Sequence, residues 1–165
     1  MEIGAGTFFW ANAGAFAVHI VDELSCRGRF VERVREKFMP GMNWTKFWLG
    51  NLAFLALLVG SAWVYGARGG RWIVLPLVWL IERPGNTVWH VWWSLKFREY
   101  SPGLATSFLF PLNLSAFLYC VALPGHVARE DLGLALALGA AGWLFFSTAP
   151  PLVFRFRAGA QRPAD

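Results

Sequence analysis

Three ionisable side chains stand together in an apolar stretch near the start of the chain: His19, Asp22 and Glu23. Positions i, i+3 and i+4 share one helix face, so an imidazole and two carboxylates can address one point. Ionisable groups at hydrocarbon depth are costly, and by default they mark a site. A second polar set, Glu82, Asn86 and His90, recurs at i, i+4 and i+8 in another apolar stretch, with Arg83 beside it. Imidazole with carboxylate suits zinc or iron, and helix-borne acids with histidines are the makings of carboxylate-bridged centres. The candidate metal ligands are therefore His19, Asp22, Glu23, Glu82 and His90, and the candidate catalytic groups are Glu82, Asn86 and Asp22.

Reach limits how these groups combine. On a straight helix Glu82 and His90 lie about 12 Å apart along the axis, whereas His19 and Glu23 lie about 6 Å apart. A single ion joining both sets needs the second helix to bend inward. Pro84 and Gly85 supply the place, because proline removes a backbone donor and kinks or breaks a helix. Two ions sharing carboxylates would use the longer stripe instead.

The elements that position these residues follow from composition. Of 165 residues 56% are hydrophobic and 15% charged, with ten Trp and fifteen Phe, which excludes an ordinary soluble domain. The apolar runs predict an all-α fold, a polytopic transmembrane bundle of about five spans in a single domain. The spans fall at 4–25, 46–66, 72–95, 103–123 and 132–154. The first is rich in small residues from Ala11 to Ala17, which favours a central place in the bundle. The fourth is interrupted by Pro111 and carries Asn113.

Between the first two spans, Arg27, Arg29, Arg33, Arg35 and Lys37 alternate with Phe30, Val31, Val34 and Phe38, which predicts a short amphipathic interfacial helix. With the N-terminus outside, one side receives Arg27, Arg29, Arg33, Arg35, Lys37, Lys46, Lys96, Arg98, Arg155, Arg157 and Arg162, the other Arg68, Arg71 and Arg129. Eleven against three orients the chain N-out, C-in. The net charge of +5 is then met by anionic lipid and calls for no nucleic acid. Cys26 and Cys120 have no metal spacing, and no nucleotide, haem or flavin signature is present. Gly133, Gly139 and Gly142 on the last span form a small-residue face suited to packing within the bundle or to a homodimer.

The segments His19-Ile20-Val21-Asp22-Glu23, Asn86-Thr87-Val88-Trp89-His90 and Tyr100-Ser101-Pro102-Gly103-Leu104-Ala105-Thr106, in that order, resemble the HXXEE family of small bacterial membrane proteins. The naming motif maps onto His19, Asp22 and Glu23, with aspartate at 22 where the family name has glutamate. The resemblance implies a protein of a bacterial inner membrane with an enzymatic role, and it carries over no settled activity.

Three functional readings fit the residues. In the first, His19, Glu23 and His90, with Asp22 or Glu82, hold zinc or iron and act on a hydrophobic lipid- or isoprenoid-like molecule. In the second, a metal-free isomerase or cyclase uses a desolvated acid and a histidine. In the third, the same acids form an ion or proton pathway. Plain structural roles compete with each: the acids of the first helix can snorkel to the interface, Glu82 and Arg83 can pair as internal glue, and Trp79, Trp89, Trp92 and Trp93 can anchor an aromatic belt. Ser107, Thr106 and Ser115 form no nucleophile elbow, so covalent serine chemistry is not expected.

Overall fold

The structure is a computed structural model that describes residues 4–25 and 29–159, with side chains to Phe145. Cys26 and Arg27 lie outside the described residues, as do the side chains of Arg155 and Arg157 and all of Arg162. Among the described residues the fold is all-helical: α1 (Ala5–Ser25), α2 (Phe30–Lys37), α3 (Trp44–Arg68), α4 (Val74–Glu82), α5 (Pro84–Phe97), α6 (Leu104–Ser107), α7 (Leu109–Phe117) and α8 (Arg129–Gly159). A 3-10 turn, Gly70–Ile73, leads into α4, and a π turn, Leu118–Ala122, extends α7.

Two of these elements are long and apolar enough to cross a membrane: Trp44–Arg68, and Leu104–Ala122 taken through α6, α7 and the π turn. Only 22% of either apolar window is buried inside the protein. Large apolar side chains such as Leu49, Trp63, Leu95, Leu112, Tyr119 and Leu123 face outward, each at least 66% exposed. The other three expected spans do not stand on length and hydropathy. Asn12, His19, Asp22 and Glu23 make α1 more polar, the third expected span is divided into α4 and α5, and the fifth runs in α8 past Phe145, the last residue with a described side chain.

The sequence dictates the local breaks. Asn43 caps α3, its Oδ1 accepting from Lys46 N at 2.9 Å, and Gly69 ends that helix at φ 61°. Arg83, at φ −58° and ψ −37°, keeps helical dihedrals between α4 and α5 while Pro84 opens α5 at its first turn. The helix is therefore broken here without unwinding. Pro111 cannot donate to the carbonyl of Ser107, and that oxygen instead accepts from Thr87 Oγ1 at 2.7 Å. The proline of one span is thus tied to the helix that bears His90.

Packing centres on α1, which touches α3, α4, α6 and α7. One apolar cluster joins Phe8, Phe9, Leu77, Leu80 and Phe117, and a second joins Phe16, Phe30, Val34, Phe47, Trp93 and Phe110. The amphipathic α2 buries Phe30, Val31 and Val34 in the second cluster. It is strapped down by Lys37 Nζ on Glu99 Oε1 at 2.5 Å and by Arg33 Nη1 on Tyr100 O at 3.2 Å. On α8, a Cβ at Gly139 would meet Ile81 Cγ2 at 2.8 Å and Val78 O at 3.0 Å, and one at Gly142 would meet Glu82 Cγ at 3.7 Å. Those two glycines let α8 lie close on α4 within the chain, while Gly133 is open.

Candidate metal centre

α1 and α5 bring their polar faces together at His19, Glu23 and His90, and the three offer ligand atoms within 4.8 Å of one another. His19 Nε2 lies 3.5 Å from Glu23 Oε1, and His90 Nε2 lies 3.8 Å from the same oxygen. All three are buried, at 1%, 6% and 0% exposure for His19, Glu23 and His90. His90 faces α1 from α5, and the two imidazoles meet edge to face at 5.0 Å. Phe110 packs edge-on against His19 at 5.4 Å and Trp89 against His90 at 4.9 Å, which seals the rings from the apolar side.

The far nitrogens of both rings are held by the segment between α5 and α7. His90 Nδ1 is 2.8 Å from Ser101 Oγ, and His19 Nδ1 is 3.0 Å from Thr106 Oγ1. Thr106 Oγ1 in turn donates to Asp22 Oδ2 at 2.8 Å. Between the two hydroxyls the chain passes at Gly103, at φ 90°, where a Cβ would meet His19 Cε1 at 2.7 Å and both Glu23 Cγ and His90 Cε1 at 3.0 Å. Only glycine fits this close approach.

The remaining candidates take other places. Asp22 faces Thr106 rather than the cluster. Asn86 Nδ2 sits 2.8 Å from His19 Nε2. Glu82 is held by Arg83, whose Nε donates to Oε2 at 2.6 Å and Nη2 to Oε1 at 2.8 Å, and the guanidinium lies 3.9 Å over Phe54. A cavity of about 590 Å³ opens beside the cluster. Glu23, Glu82, Arg83, Asn86, Lys46 and Asn51 supply its polar lining, and aromatic and methionine side chains such as Phe30, Phe38, Met42 and Trp89 its apolar lining. Trp143 closes it from α8 by lying on Gly85, where a Cβ would sit 1.7 Å from Trp143 Cδ1.

The roles of Ser101, Gly103 and Thr106 were not read from residue chemistry. Thr106 is considered above only as a nucleophile, and a lone serine or threonine carries no pattern until its segment is folded against the rings.

Among the described residues, fold and site together define a class: an all-helical protein with two helices long and apolar enough to cross a membrane and a buried His/Glu/His group that can hold a metal ion. Residues 10–118 match the family described as "Protein of unknown function with HXXEE motif", and the chain belongs to it. No curated protein and no solved structure matches the chain.

Proposed function

We propose that this chain is a membrane-embedded metalloenzyme in which His19, Glu23 and His90 hold zinc or iron and the metal activates water on a hydrophobic substrate lodged in the adjacent cavity. One observation carries the reading: His90 Nε2 is buried without a hydrogen-bond partner, and it aims at the oxygen that also faces His19 Nε2. Buried polar nitrogens are rarely left orphaned, and a missing ion is a standard reason when one is.

The dimensions agree. Ligands at about 2.05 Å in a tetrahedron are roughly 3.3 Å apart. The two contacts to Glu23 exceed this by a few tenths of an ångström, and the third pair lies within 4.8 Å. Two histidines and one carboxylate leave at least one coordination position open, as catalytic sites do, and Glu23 turns that side toward the cavity. The aromatic lining and a volume of about 590 Å³ match a lipid- or isoprenoid-sized guest, with Asn86 and Arg83 beside its reacting end.

The same reading takes the chain as a five-span protein of a bacterial inner membrane, N-terminus outside, with the cluster toward the cytoplasmic leaflet. Its supports are the outward-facing apolar side chains and the eleven-to-three bias of Lys and Arg counted above. The runner-up is metal-free proton transfer, favoured by the Asn86 amide, which already satisfies the lone pair of His19 Nε2.

Elemental analysis of detergent-purified protein beside H19A and H90A decides between them. One equivalent of zinc or iron in the parent, lost in both variants, is the expected result. A folded parent that stays metal-free after reconstitution with either ion overturns the metal reading and leaves acid/base chemistry.

A further inference from the structure

We infer that Asp22, the middle acid of the His19–Glu23 motif, is a positioning residue: with Thr106 it locks His19 in the Nδ1–H tautomer, so that Nε2 turns a lone pair toward Glu23 and His90. This deepens the reading above, in which that lone pair is a metal ligand, and it assigns the motif's two acids to different work.

Proton counting carries the inference. The Thr106 hydroxyl has one proton and three possible acceptors for it, Asp22 Oδ2 at 2.8 Å, His19 Nδ1 at 3.0 Å and Gly103 O at 3.2 Å. Asp22 Oδ2 also receives Thr106 N at 3.3 Å, which marks that oxygen as an acceptor. With the hydroxyl proton on Asp22 Oδ2, the nearest of the three, Oγ1 faces His19 Nδ1 at 3.0 Å with a lone pair. In a neutral ring Nδ1 then carries the proton, and Nε2 is bare. The other end of the ring agrees independently, because Asn86 Nδ2 approaches Nε2 at 2.8 Å as a donor. Outer hydrogen bonds of this kind fix the tautomer and orientation of metal-binding histidines.

The motif's geometry explains the division. Glu23 is one turn from His19 on the same side and shares its contact point at 3.5 Å, whereas Asp22 is rotated toward α6 and reaches the backbone and hydroxyl of Thr106. Aspartate at 22 satisfies a contact made to a neighbouring helix, with no ion to reach.

The test is histidine-selective nitrogen-15 NMR of the metal-free protein in detergent at mildly alkaline pH, where only His19, His90 and His126 contribute. The expected parent spectrum has the His19 proton on Nδ1. Thr106→Val, equal in size and without the hydroxyl, shifts His19 toward the Nε2–H form, and Thr106→Ser restores the parent state. Asp22→Asn, which keeps the size of the side chain, loosens the lock in the same direction and serves if Thr106→Val does not fold. Zinc affinity falls about 10–100-fold in Thr106→Val and returns in Thr106→Ser. A parent His19 protonated on Nε2, or on both nitrogens, overturns the inference, as does a Thr106→Val spectrum identical to the parent. If the parent tautomer is as expected but added zinc leaves Nε2 unmoved, the metal reading fails and the positioning role stands.

Discussion

Gly103→Ala is the substitution that probes the centre most directly, and Gly125→Ala is its control. Both glycines lie at positive φ, +90° and +86°, so an alanine at either position meets the left-handed penalty of roughly 1–2 kcal/mol. They differ in what surrounds the new methyl group. At Gly125 nothing lies within 4 Å, whereas at Gly103 it would press on the Cε1 atoms of His19 and His90 at 2.7 and 3.0 Å and on Glu23 Cγ at 3.0 Å. These are ring and stem atoms of packed residues, so relief has to come from moving the rings or lifting the loop. Overpacking of that kind adds about 1–3 kcal/mol. Gly103→Ala should thus cost about 2–5 kcal/mol in all against about 1–2 kcal/mol for Gly125→Ala. On the scale for chains of this length, that is a fall in Tm of roughly 4–20 °C against 2–8 °C. Parallel thermal unfolding in detergent, with zinc titration of each variant, reads both effects. The expected result is a larger Tm loss and about 10–100-fold weaker zinc binding in Gly103→Ala, with zinc binding unchanged in Gly125→Ala. Equal Tm values and equal zinc affinities would refute the placement of this loop between the two imidazoles.

Three further outcomes are expected. Glu82→Ala strands the buried Arg83 guanidinium and should cost about 3–5 kcal/mol in denaturant unfolding, while folded Glu82→Gln keeps its metal, because Glu82 is held by Arg83 and not by the cluster. Loss of metal from a folded Glu82→Gln would make Glu82 a ligand. The hydrogen bond from Lys37 holds the Glu99 carboxyl below the usual carboxylate range, with Trp93 Nε1 donating to the same oxygen at 2.7 Å. A depressed carboxyl stabilises the fold above its unfolded value and stops doing so as pH falls through the folded one. The Tm of the parent should therefore drop between about pH 5 and pH 3 by a component that Glu99→Gln lacks, and matching profiles would show that the α2 strap contributes nothing. Gly85→Ala should drive Trp143 off the cavity wall, given the 1.7 Å approach its Cβ would make. Quenching of Trp143 fluorescence, read as the difference from a Trp143→Phe background, should rise in that variant, and an unchanged signal would place the indole elsewhere.

Much of the fold and of the site could be read from local pattern. The i, i+3, i+4 spacing of His19, Asp22 and Glu23 places them on one helix, and helix geometry is local enough for spacing to determine which side chains are neighbours. The break between α4 and α5 followed equally from Pro84, since a missing N–H is a property of the residue and not of its surroundings. The apolar runs implied helices, and 44–68 and 104–122 satisfy the length and hydropathy that a membrane crossing requires.

Which of the ionisable groups meet was a different matter. Glu82 and His90 share a stripe on paper, yet Glu82 turns to the adjacent Arg83 and His90 turns to α1. The two acids of the first motif also part, Glu23 to the histidines and Asp22 to Thr106, which lies 84 positions along the chain. Ser101, Gly103 and Thr106 acquire their contacts from a loop that folds back between two helices, and no periodicity encodes such a return. Spacing along a helix is fixed by 3.6 residues per turn, so it is written in the chain; contacts between helices depend on kink, rotation and packing, and these emerge when all the helices settle against α1 together.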